Sequence, residues 1–338
     1  MQIPRRAREL GVIVGTLPTG PLNAITDVPG VRVGQATISS GDLHTGVTAI
    51  VPDGFADGLP AAVAVGNGYG KLVGSTQVDE LGVIETPVLL TGTLSVFRVA
   101  DALLTWLLDR DARATSLNPI VGETNDGHLS DIRRRPITPE HVHAALGSAS
   151  SELPLEGCAG AGTGTTALGF KAGIGTASRT TGSGLVGSGT IDSGGVDSGT
   201  GGSGVVGVLV QANFSGTLTV LGTPIPAPPL DADGNSCMIV VATDLPLDAR
   251  QLGRVARRAV FAMGRVGSDF SPGSGDYAIA FSTNRTPAFT DRDLKPVFQA
   301  TTESVEEALL NSLTTATTTT GFQGRTAHAV PHDLIRLR

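Results

Sequence analysis

Six short runs constrain the fold more than any other feature: HTGVTAIVP (44–52), PAAVAVGNGYG (60–70), TPVLLTGT (86–93), GVVGVLVQANFSG (204–216), SCMIVVATD (236–244) and DYAIAFST (276–283). Each is apolar or alternating and is bounded by Gly, Pro or Thr, the pattern of strands in a sheet with at least one covered face. Helical periodicity is confined to 95–111, 248–266 and 301–317. Strands and helices mixed without a regular β-α-β rhythm predict an α+β layered sandwich and disfavour a doubly wound parallel sheet. The basic run Arg254, Arg257 and Arg258 falls on the polar face of the second helix and reads as solvated surface.

The chain has 338 residues and 40% hydrophobic content, enough for a substantial core. A formal charge of −7 leaves no basic footprint for nucleic acid, and no window approaches the roughly 18 apolar residues of a membrane span. The N-terminus MQIPRRAREL lacks the apolar stretch of a signal peptide, so a cytoplasmic location is expected. Cys158 and Cys237 have no metal-type spacing around them and read as small core residues. HVH at 141–143 lacks a third nearby ligand, and neither a metal nor a cofactor is expected. Residues 180–204, rich in Gly and Ser, read as a flexible insertion within one domain. The glycine-dense stretch 160–179 lacks the preceding strand and following acidic residue of a dinucleotide site, and is read as close packing.

Ser236 opens a run of β-formers directly after a proline-rich stretch and Gly234–Asn235. If its hydroxyl attacked the Asn235 carbonyl and the chain broke there, Ser236 would become an N-terminus carrying a nucleophile and an amine. Such an amine has a pKa of about 7.7 to 8.0 and can act as general base beside the hydroxyl. Gly234 and Asn235 tolerate positive φ, so the scissile bond is expected in a strained turn.

DGNSCMIVVATDLPL and GSGDYAIAFST resemble the DmpA family of self-processing serine aminopeptidases, which includes the β-peptidyl aminopeptidases. The resemblance extends through NAITDVPGVRVGQAT (23–37), residues 67–93, GETNDGHLSD (122–131), residues 160–179, VLVQANFSG (208–216) and ATTESVEEALLNSL (300–313). It implies a four-layer αββα sandwich similar to N-terminal-nucleophile hydrolases but differently connected. It also implies cleavage into 1–235 and 236–338, with the pieces held in one domain, and a homo-oligomer, a tetramer of such cleaved units. Its substrates would be small peptides, amides or esters.

Residue by residue, the resemblance makes Ser236 the nucleophile, Asn213 an oxyanion donor, and Ser274 with Asp276 the pair that orients the Ser236 amine and hydroxyl. Asp276 stands where the β-peptidyl branch has glutamate, one methylene longer, which puts β-peptide specificity in question. His128 stands where the family motif has tyrosine, and is expected to donate to the oxyanion in its place. Glu123 is expected to receive the substrate ammonium, while Lys171 is expected near the site without a defined role. Two other readings compete: an amine acyltransferase of the ornithine acetyltransferase type, whose nucleophile is threonine, and an unprocessed non-catalytic homologue.

Overall fold

The computed structural model describes residues 3–182, 203–228 and 235–336; most of the Gly/Ser insertion lies outside them. The chain lays down β1 (Val31–Ser40), β2 (Leu43–Pro52), β3 (Leu59–Gly68), β4 (Leu72–Val73), α1 (Ser75–Leu81), β5 (Val83–Ile84), β6 (Val88–Gly92), α2 (Val96–Leu108), β7 (Ile120–Thr124) and α3 (Pro139–Gly147). A small hairpin of β8 (Thr166–Ala167) and β9 (Phe170–Lys171) leads into β10 (Ile174–Thr181) and β11 (Gly204–Asn213). A second small hairpin, β12 (Thr219–Val220) and β13 (Thr223–Pro224), precedes β14 (Asn235–Thr243), α4 (Ala249–Ala262), β15 (Ser274–Ser282) and α5 (Leu294–Thr314).

These elements form the expected αββα sandwich. One sheet has the order β1-β2-β6-β7-β4 and the other β10-β11-β14-β15-β3-β5. Their facing sides share an apolar layer that includes Ile50, Leu90, Leu209, Met238, Val240 and Phe281. The outer face of the first sheet packs on α2 and α3 through residues such as Val47, Leu89, Val99 and Val142. The outer face of the second packs on α4 and α5 through Val208, Ile239, Val255 and Leu309. Strands buried on both faces explain why the runs at 236–244 and 276–283 are almost continuously apolar rather than alternating.

Close approach of backbone accounts for the glycine-dense segment. A Cβ at Gly162 would stand 2.3 Å from the Ile174 nitrogen, and one at Gly164 would stand 2.1 Å from the His44 carbonyl oxygen. Neither position has room for a side chain, as the packing reading anticipates. His141 closes the first turn of α3, its Nδ1 accepting from the Thr138 N–H at 3.2 Å. The basic face of α4 is not wholly solvated: Arg254 pairs with Asp291 at 3.0 Å, and the Arg258 guanidinium lies 3.4 Å over the Phe298 ring of α5. Among the described residues no helix is long and apolar enough to cross a membrane.

Candidate active site

Ser236 is the second residue of β14 and is 3% exposed. It lies in register with Asn213, the last residue of antiparallel β11, and on its other side with Gly275 of parallel β15. Registered residues share a face, so Asn213 and Ser236 project together toward the opposite sheet. From that sheet, the N–H of Asn125, the residue after β7, donates to Ser236 Oγ at 3.1 Å. The Thr166 N–H donates to Asn213 Oδ1 at 3.0 Å, which sets which end of the amide accepts and leaves its NH2 as the donor end.

Ser274 and Asp276 are one residue out of phase with Ser236, registering with Asn235 and Cys237. Alternation therefore places their side chains on the face away from the Ser236 hydroxyl, level with the residues on either side of Ser236. Ser274 Oγ donates to Asp276 Oδ1 at 2.8 Å, and Asn67 Nδ2 donates to Oδ2 at 2.8 Å. A bulge where β3 skips a residue opposite Asp276 and Tyr277 brings Asn67 to this carboxylate. Burial pushes the Asp276 pKa up, against the hydrogen bonds from Asn67 and Ser274.

Glu123, in β7, is 3% exposed. Its Oε1 accepts from the Lys71 N–H at 3.0 Å and from Lys71 Nζ at 3.2 Å; the same Nζ also donates to Thr93 Oγ1 at 2.9 Å. Gly70 lets this segment thread between the sheets, since a Cβ there would lie 3.0 Å from the Tyr277 ring and 3.2 Å from Glu123 Oε1. Both lysine contacts fall on one carboxylate oxygen, Oε1.

His128 lies half-buried in the turn that follows Asn125. The turn is closed by Asn125 Oδ1 accepting from the Gly127 N–H at 2.9 Å and by the Asp126 carbonyl accepting from the Ser130 N–H at 3.0 Å. It is thus Asn125, three residues before His128, whose main chain reaches the nucleophile. Lys171 is fully buried, donating to the carbonyls of Ala172 at 2.5 Å and Gly162 at 3.3 Å, and burial pushes its pKa down. It supports the glycine-dense segment that also supplies the Thr166 N–H. Asn235 is the first, extended residue of β14 and pairs with Ser274, so the bond before Ser236 lies in a ladder and not in a strained turn at Asn235. Gly234 lies outside the described residues.

Sequence reading missed Asn125, Asn67 and Lys71. NGYGK (67–71) and GETND (122–126) carry all three; the signal was the pairing of polar residues with Gly at strand ends, where backbone approaches backbone.

An αββα sandwich with a buried serine at the head of a central strand, flanked by a side-chain amide and a main-chain N–H, defines a hydrolase of the N-terminal-nucleophile type. The chain belongs to Peptidase family S58, whose model matches residues 23–327. It is 38% identical over 375 residues to the β-peptidyl aminopeptidase BapA of Sphingosinicella xenopeptidilytica, covering 97% of this chain and 89% of that one. Among solved structures it is similar to the L-aminopeptidase D-Ala-esterase/amidase of Ochrobactrum anthropi, described as a prototype serine aminopeptidase with a variant Ntn hydrolase fold. The TM-score is 0.85 at 36% identity, over 98% of this chain and 96% of that one. A Burkholderia β-aminopeptidase is similar with a TM-score of 0.87 at 33% identity, covering 98% and 97% of the two chains.

Proposed function

We propose that the protein is a self-processing serine aminopeptidase in which Ser236 performs two acyl transfers. In the first, Ser236 Oγ attacks the Asn235 carbonyl carbon, the peptide C–N bond breaks as an ester forms, and the proton passes to the departing nitrogen. Water then hydrolyses the ester, leaving an Asn235 carboxylate and a free Ser236 amine. In the second, that amine takes the hydroxyl proton as Oγ attacks the scissile carbonyl of a substrate; the leaving amine or alcohol receives the proton, and water releases the first residue.

The observation that carries this reading is the Asn125 N–H at 3.1 Å from Ser236 Oγ, with Asn213 in register beside it. In the resting site the Asn125 N–H meets the nucleophile oxygen itself; in the proposed reaction it and the Asn213 amide serve the carbonyl oxygen once Oγ attacks, where one such donor is worth about 3 to 4 kcal/mol in the transition state. Ser274 and Asp276 register with the residues on either side of Ser236, and in this proposal they hold and polarise its amine. His128 shares the Asn125 turn, and in this proposal it gives the hydrogen bond to the oxyanion in place of the family tyrosine. Glu123 receives the substrate ammonium on Oε2 while Lys71 steadies Oε1. Because β14 lies between β11 and β15, residues 236–338 remain in the sheet after cleavage; the tetramer of cleaved units rests on the family resemblance alone.

Hydrolysis of amino-acid p-nitroanilides, each with a free and an N-acetylated amine, tests the reading. Turnover of the free-amine compounds and its loss on acetylation are expected, as is loss of turnover in Ser236→Ala. Equal hydrolysis of both forms would remove Glu123 as the ammonium site, and no hydrolysis of any would remove the peptidase reading. β-Amino analogues in the same panel establish whether Asp276 supports them.

A further inference from the structure

Beside the scissile bond lies a pocket of about 420 Å³, with Leu168, Phe214 and Ile225 as apolar wall and Thr166, Ser215 and Asn235 as polar wall. A volume of this order takes an amino-acid side chain with room to spare. Asn235 Nδ2 donates to Ser215 Oγ at 3.1 Å, and Ser215 Oγ donates its own proton to Asp269 Oδ1 at 2.7 Å. A hydroxyl has one proton and two lone pairs. With the proton committed to Asp269, Ser215 meets a ligand only as an acceptor. The Ser271 N–H holds Asp269 Oδ1 at 3.0 Å as well. Desolvation pushes the Asp269 pKa up, but the hydrogen bonds from Ser215 and Ser271 outweigh it and keep the group a carboxylate.

We propose that this pocket receives the side chain of the substrate's N-terminal residue and selects side chains that donate a hydrogen bond, carboxamides above all. The assignment rests on Ser236 being the nucleophile of the proposed peptidase. Asn235 is the first acyl group that Ser236 takes up. Every later acyl group is carried on the same oxygen beside the same donors, so its side chain inherits the surroundings of the Asn235 side chain. Asparagine and leucine have nearly the same shape, and Ser215 is what tells them apart.

The ratio of kcat/KM for asparagine p-nitroanilide over leucine p-nitroanilide, measured on the processed enzyme, reads the proposal independently of the fraction of active protein. Wild type should favour the asparagine compound. Ser215→Ala should lower the ratio about 3- to 10-fold, the range for one lost neutral hydrogen bond, and Ser215→Thr should restore it. Asp269 is exposed, so Asp269→Ala serves as a second variant should Ser215→Ala fail to fold. It frees the Ser215 proton to donate and lowers the ratio in the same direction. A wild type that prefers leucine, or a ratio unchanged in both variants, overturns the subsite while leaving the peptidase reading intact. Hydrolysis of no p-nitroanilide by wild type overturns both.

Discussion

Asp126 is a carboxyl that the fold holds at a cost, and replacing it with asparagine should stabilise the protein increasingly as pH rises. The side chain is 1% exposed, packs against Gly92 of β6 and Gly164, and has no hydrogen-bond partner on Oδ2. Burial raises its pKa from 3.8 to about 7; Thr45 and its own N–H oppose the shift, repulsion from Glu123 adds to it, and Lys171 offsets part. A carboxyl whose folded pKa exceeds its unfolded one binds more protons folded than unfolded. Its penalty is therefore absent below about pH 4, grows as pH rises through the interval, and is complete above about pH 7. For values of 3.8 and about 7, the penalty is about 2 kcal/mol at pH 5 and about 4 kcal/mol at pH 8. Asp126→Asn has no such titration, so its stability relative to the parent should improve by about 2 to 3 kcal/mol between those pH values, whatever constant cost the amide adds. With an unfolding entropy near 2.1 cal/mol/K per residue, that is a relative gain of about 4 °C in Tm over 338 residues. The assay is thermal melting of both proteins at pH 5 and pH 8, each in the Ser236→Ala background so that the chain stays whole. Glu156, also raised to about 7 by burial, is present in both and cancels. A difference in Tm that is equal at the two pH values, or that shrinks at pH 8, refutes the reasoning.

Arg179 is fully buried between Glu303 at 3.2 Å and Glu307 at 2.5 Å, so Arg179→Met should cost about 3 to 5 kcal/mol by removing the buried cation that two buried carboxylates share, seen as a lowered denaturation midpoint. Asn213→Ala should reduce kcat about 100- to 1000-fold with the fold intact by circular dichroism, and an unchanged kcat would remove it as oxyanion donor. Deleting residues 184–202, outside the described residues, should leave folding and chain cleavage intact, because Thr181 and Gly204 at its two ends already pair in the β10–β11 hairpin. Loss of soluble protein would contradict that.

Strands buried on both faces announced themselves as apolar runs, and β2, β3, β6, β11, β14 and β15 all fall where those runs predict. β10 did not, because IGTASRTT buries polar groups: Arg179, Ser178 and Thr176 are fully buried and spend their hydrogen bonds on α5, the N-terminal segment and β11. β7 was hidden for another reason, being only five residues long and carrying the buried carboxylate Glu123 next to its last residue. Ser236 was legible because a hydroxyl leading a β-run after Gly-Asn has chemistry that a strand end does not need. Asn125 was not, since it acts through its main chain, and every residue but proline carries that N–H. The out-of-phase placement of Ser274 and Asp276 depends on the parallel register of β14 with β15, which no local pattern encodes.

The central claim is that one hydroxyl both cuts the chain and serves as the peptidase nucleophile. Its most direct test is the intact mass of purified wild type and Ser236→Ala under denaturing conditions. Wild type should resolve into fragments with the masses of residues 1–235 and 236–338, while Ser236→Ala should show the full-length chain alone. Cleavage before residue 236 persisting in Ser236→Ala, or an uncut wild type that still hydrolyses aminoacyl p-nitroanilides, would contradict it.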